Sequence, residues 1–146
     1  MNKTNTLAQT VSQIFEDMYF MFPEQISDPD TQFSLPMHCY VAHTEFIKES
    51  GSLFFYAEDK LVNQMAMNFL GEKRSFERIE LMDIFKESAN VIAGNYITAT
   101  NKPPKVNFKI PVVETITISS WDKDSTYDID CVYNIENCFF RIALVE

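Results

Sequence analysis

Asp83-Ile84-Phe85-Lys86-Glu87-Ser88-Ala89-Asn90-Val91-Ile92-Ala93-Gly94-Asn95-Tyr96-Ile97-Thr98-Ala99-Thr100 is the stretch around which the rest of the chain is organised. At about 100° per residue, with Ile84 at the origin, Val91, Ala99, Ile92, Phe85, Tyr96 and Ala89 fall on one broad arc. That pattern predicts a single long amphipathic helix. Ser88 and Asn95 lie on the same arc, so the apolar face carries two polar groups that need partners. Asp83, Glu87, Asn90 and Gly94 occupy the opposite side, where Glu87 and Asn90, three residues apart, are surface neighbours. Glycine inside a helix costs about 1 kcal/mol relative to alanine. The benefit of Gly94 is therefore expected in the close approach of another backbone or of a partner.

At 146 residues the chain predicts one domain, residues 1–146, large enough to bury its own core. A net charge of −9 argues against nucleic acid and anionic membrane surfaces, which demand clustered Lys and Arg. The first residues lack the basic-then-apolar pattern of a signal peptide, and no apolar run is long enough to span a bilayer. A cytoplasmic location is the expectation. Cys39, Cys131 and Cys138 lack metal-ligand spacing with His38 or His43 and read as buried, reduced thiols. No metal site is expected.

Along the chain, Leu7, Val11, Ile14, Phe15, Met18 and Phe22 mark one face of a helix from about Thr6 to Phe22, stopped by Pro23, with Phe20 and Met21 off that face. Asp28-Pro29-Asp30 is a turn. Met37 to Ile47 and Leu53 to Ala57 read as paired strands joined through Gly51, and both are apolar enough that part of the sheet should be covered on both sides. Glu58 to Leu70 is helical and ends at Gly71. Asn101-Lys-Pro-Pro-Lys105 predicts a stiff loop after the central helix. Strands are expected over Val112–Ser119, Tyr127–Ile135 and Cys138–Val145, the last two joined by a tight hairpin at Glu136-Asn137. The order suits an α+β fold, an antiparallel-rich sheet with helices packed against it.

Asp83-x-x-x-Glu87-x-x-Asn90, continued as Val91-Ile-Ala-Gly94-Asn95 and followed by Pro103-Pro104, resembles the signature helix of the CheC/CheX chemotaxis phosphatases. The single copy of the motif is most like the CheX branch. The resemblance extends to Gly51-x-Leu53-Phe-Phe55, to the helix ending at Leu70-Gly71 and to the closing strands, from about residue 36 onward. It implies a CheC/CheX-like sheet with packed helices, and a homodimer formed through the sheet. An apolar edge at Phe139–Val145, which proteins normally cover, is expected to contribute to that dimer.

The same resemblance implies hydrolysis of the aspartyl phosphate on a CheY-type response regulator. An acyl phosphate already has a good leaving group, so the chief task is to place one water in line. The Asn90 carboxamide both donates to and accepts from a water, and is expected to orient it. Glu87 is expected to pair with the regulator's active-site lysine. Asp83, with a less defined role, matches an acidic or serine position of the family, and Gly94 and Ile97 would border the docked partner. Asn95 is expected to face the core and satisfy buried backbone groups. Magnesium would be held by the phosphorylated partner, with no cofactor on this chain. Two alternatives stand beside this reading: a non-catalytic module that binds a response regulator, and a structural domain of the flagellar switch. The intact Glu87/Asn90 pair favours the enzyme.

Overall fold

The computed structural model describes residues 2–100, 107–121 and 126–146. In chain order the elements are α1 (Lys3–Tyr19), β1 (Glu24–Ile26), a 3-10 turn (Pro29–Thr31), β2 (Met37–Ile47), β3 (Ser52–Glu58), α2 (Asp59–Leu70), α3 (Arg78–Thr100), β4 (Asn107–Phe108), β5 (Val112–Ile118), β6 (Ile129–Ile135) and β7 (Cys138–Val145). The strands form one antiparallel sheet in the order β1-β6-β7-β3-β2, with β5 and β4 one after the other along the far edge of β2. This is the α+β architecture expected from the sequence.

Period-two alternation decides which side of the sheet is dry. Tyr40, Ala42, Leu53, Phe55, Cys131, Tyr133, Phe140, Ile142 and Leu144 form one continuous core with the buried faces of all three helices. Among the described residues the other side is covered at one end, where Met37, Cys39 and Phe139 pack with Phe33, Leu35 and Trp121. The apolar strands are thus covered on both sides over part of the sheet, and the three cysteines are buried free thiols.

Two turns fix the strand register. The β2–β3 connection closes at Gly51 (φ 138°), where a Cβ would stand 2.8 Å from both the Val145 carbonyl oxygen and the Phe46 ring. Only glycine fits there. The β6–β7 hairpin turns on Glu136 and Asn137, both at positive φ, the geometry preferred by two-residue hairpins.

The structure corrects the sequence reading in three places. Helix α1 ends at Tyr19 instead of Phe22, because Phe20 adopts a left-handed conformation (φ 57°) and the Met21 N–H donates back to the Phe15 carbonyl at 3.1 Å. This reversal buries Met21 and leaves Phe22 71 % exposed. Strand β7 is interior to the sheet, paired with β6 on one side and β3 on the other, so the expected apolar edge at Phe139–Val145 does not exist. Its apolar run reflects burial on both faces. Among the described residues the edges are β1 on one side and β5 and β4 on the other, of which β5 is the longest and pairs only with β2. The short strands β1 and β4, three and two residues long, went unread because such lengths carry no periodicity. The Asn101–Lys105 loop lies outside the described residues, as do residues 122–125.

Candidate functional site on the outer face of helix α3

Helix α3 is held along its whole length. At its start the Glu80 carboxylate accepts from the Glu77 N–H at 3.2 Å and from Arg74, which also reaches Glu72 and lies 4.1 Å over the Phe76 ring. Arg74, and then the Glu77 N–H, hold the Glu80 carboxyl below its ordinary pKa. In the middle, Phe85 packs on Tyr40 of β2, and Ser88 bonds the Tyr19 hydroxyl of α1. Near its end, Tyr96 and Ile97 line a groove with Lys3 of α1 and Leu144 of β7, so α1 runs antiparallel to α3.

The buried arc of α3 consists of Leu81, Phe85, Ser88, Ala89, Ile92, Ala93, Tyr96 and Ile97. It is rotated relative to the arc centred on Ile84 and Val91, both of which are only half-buried. The sequence reading misses this because α3 is wedged between α1 on one flank and the β2–β4 end of the sheet on the other, so burial extends toward Ala93. Two site expectations change as a result. Ile97, expected to border a docked partner, is 5 % exposed and belongs to the core. Asn95, expected to face inward, is exposed, and its amide donates to the Val91 carbonyl of its own helix at 2.8 Å.

Asp83, Glu87 and Asn90 are exposed together on the outer face, with Gly94 half-buried behind them. Among the described residues, a Cβ at Gly94 would meet only the Phe108 ring of β4, at an ordinary 3.8 Å. Internal packing therefore does not require glycine. Among the described residues no hydrogen bond or ion pair engages the Asp83, Glu87 or Asn90 side chains. An acid and an amide are thus presented on a rigid, convex helix without internal partners. Tyr19 is the neighbour that sequence reasoning missed. Its bond to Ser88 places the end of α1 beside the turn that carries Glu87; burial raises its pKa, the Ser88 bond opposes that rise, and the Glu87 carboxylate adds to it.

One cavity of about 470 Å³ lies on the outer side of the sheet by Trp121, Asp130 and Arg141. Another, of about 500 Å³, lies by His38, Tyr40, Asp59 and Arg78. Neither includes Glu87 or Asn90. A convex acid–amide pair cannot enclose a small substrate, but it can enter a cleft on another macromolecule. Among the described residues no group of His, Cys, Asp or Glu is placed to hold a metal ion, and no helix is long and apolar enough to cross a membrane.

A family model described as chemotaxis phosphatase CheX matches residues 40–126, which includes all of α3. No curated protein sequence matches the chain. Among solved structures, the chemotaxis protein CheX of Desulfovibrio desulfuricans superposes with a TM-score of 0.73 at 13% identity, over 99% of this chain and 98% of that one. CheX of Vibrio vulnificus gives 0.72 at 13%, covering 99% and 97%. The CheX–CheY–BeF3–Mg2+ complex of Borrelia burgdorferi gives 0.65 at 14%, covering 99% of each chain.

Proposed function

The chain belongs to the chemotaxis phosphatase CheX family, and from that premise we propose that it hydrolyses the aspartyl phosphate of a CheY-type response regulator in the cytoplasm. The observation that carries this reading is the exposed Glu87/Asn90 pair on an anchored, convex helix, its side chains without partners among the described residues. Such a pair is suited to entering a partner's cleft. The complex formed by the Borrelia relative joins CheX to CheY, BeF3 and magnesium, and that supports a partner of this kind.

Glu87 is the docking anion, pairing with a lysine of the regulator's phosphorylation site. Asn90, one turn further on, donates to and accepts from a water and holds it in line with the phosphorus. Water then forms the new P–O bond as the bond to the aspartyl oxygen breaks; aspartate leaves as a stable carboxylate, and the water's protons stay with the released inorganic phosphate or pass to solvent. Asp83 and Gly94 border the docked partner, with Gly94 allowing close approach. Magnesium, held by the regulator, offsets charge on the phosphoryl oxygens. Two copies of the chain associate through their sheets along the β5 side.

The decisive experiment is single-turnover loss of radiolabelled phosphate from the regulator with this protein in excess, so that weak docking does not mimic slow chemistry. Asn90→Ala should retain the fold and lower the rate by about 100-fold or more, the scale of losing one preorganised polar group. Asn90→Asp should fail as well, since it removes both N–H donors and brings an anion beside the phosphoryl group. Glu87→Ala should instead weaken binding to a regulator carrying a stable phosphoryl mimic, by about 2 kcal/mol or more in calorimetry. A wild-type rate from Asn90→Ala would refute the mechanism.

A further inference from the structure

We propose that Phe20, Phe22, Phe69 and Leu70, at the C-terminal ends of α1 and α2, form an apolar rim that seats on the same phosphorylated regulator while Glu87 and Asn90 enter its phosphorylation site. This rests on the function proposed above and adds a second contact surface to it. The four side chains are 69 %, 71 %, 49 % and 44 % exposed. The ends of the two helices are tied together: the Asn68 amide donates to the Tyr19 carbonyl at 2.7 Å, and the Tyr19 and Phe69 rings lie 6.1 Å apart. Tyr19 in turn bonds Ser88, next in sequence to Glu87. The rim therefore lies beside the turn of α3 that carries Glu87.

The two helix ends also pose a comparison. Both close with a left-handed residue, Gly71 on α2 and Phe20 on α1. Glycine is what that backbone favours. A phenylalanine there, with most of its ring in water, gains nothing inside the chain that the backbone could not have more cheaply, so its ring is of use outside. The occupant follows from place. Tyr19, whose hydroxyl bonds Ser88 next to Glu87 and whose ring neighbours Phe69, puts the rim beside the face that enters the regulator, so apolar burial there adds to the Glu87 ion pair. A second copy seated here by two-fold symmetry would bring two Glu87 carboxylates toward each other. The regulator is the fitting occupant.

Phe20→Asn tests this without disturbing the fold, since asparagine accepts the left-handed backbone. In combination with Leu70→Gln, the steady-state KM for the phosphorylated regulator should rise about tenfold. The single-turnover rate at saturating protein, and the mass by light scattering, should stay unchanged. An unchanged KM with an active wild type overturns the rim and leaves the proposed function standing. A changed mass with an unchanged KM overturns it in favour of a second copy. A wild type inactive on every phosphorylated regulator of the cell removes the proposed function, and the rim with it.

Discussion

At the scale of single residues, the polar pair buried between helices is the most informative contact in the molecule. The Ser88 hydroxyl donates to the Ile84 carbonyl at 3.0 Å, which leaves its oxygen to accept from the Tyr19 hydroxyl. The two members are therefore not equivalent. Ser88→Ala strands a buried tyrosine hydroxyl and should cost about 1–3 kcal/mol, whereas Tyr19→Phe leaves Ser88 bonded and should cost about 1 kcal/mol or less. Urea unfolding of both variants checks this, with equal losses counting against the donor assignment. The pair also fixes the rotation of α3, which keeps Glu87 and Asn90 outward.

At the scale of elements, α3 carries a conflict between stability and docking at Gly94. Alanine fits the space beside Phe108 and should raise the unfolding free energy by up to about 1 kcal/mol. If the glycine serves a partner's approach, the same variant should bind the phosphorylated regulator more weakly. A higher melting temperature combined with weaker calorimetric binding is the expected result. Higher stability with unchanged binding would mean that Gly94 has no docking role.

For the whole molecule, the buried groups set how stability responds to alkali. Burial, with smaller contributions from Glu58 and Asp59, raises the Cys39 thiol to about 12, and burial with Glu58 raises Cys138 to about 11. Folding favours the neutral thiols, so their contribution is whole below the unfolded value near 9 and drains away as pH climbs toward 11 and 12. Urea midpoints should fall across that window, and Cys138→Ala should flatten the fall. Buried Tyr19 and Tyr96, also shifted upward by desolvation, add to the slope at its upper end. Assembly is the other property of this scale. Exposed Val112 and the free edge of β5 lead to the expectation of a dimer mass by light scattering at micromolar concentration, reduced to the monomer by Val112→Asp. A monomer mass for the wild type would remove the proposed dimer.

The sequence by itself determined what depends on local spacing. Strands β2, β3, β5, β6 and β7 and helix α2 sit within about two residues of their expected bounds, since alternation, Gly51, Gly71 and the Glu136-Asn137 turn are local signals. The motif Asp83, Glu87, Asn90 was legible for the same reason, as it falls on one helix face whatever that helix packs against. Tertiary structure decided the rest. Periodicity locates an apolar arc only to the extent that one side of a helix is covered, and α3 is covered from two, which took Ile97 into the core and turned Asn95 out. Strand order is not written in any strand, so β7, apolar enough to look like an exposed edge, lies between two neighbours. The pairing of Tyr19 with Ser88, 69 residues apart, exists only once α1 lies antiparallel to α3, because a hydroxyl finds its partner through packing and not through sequence distance.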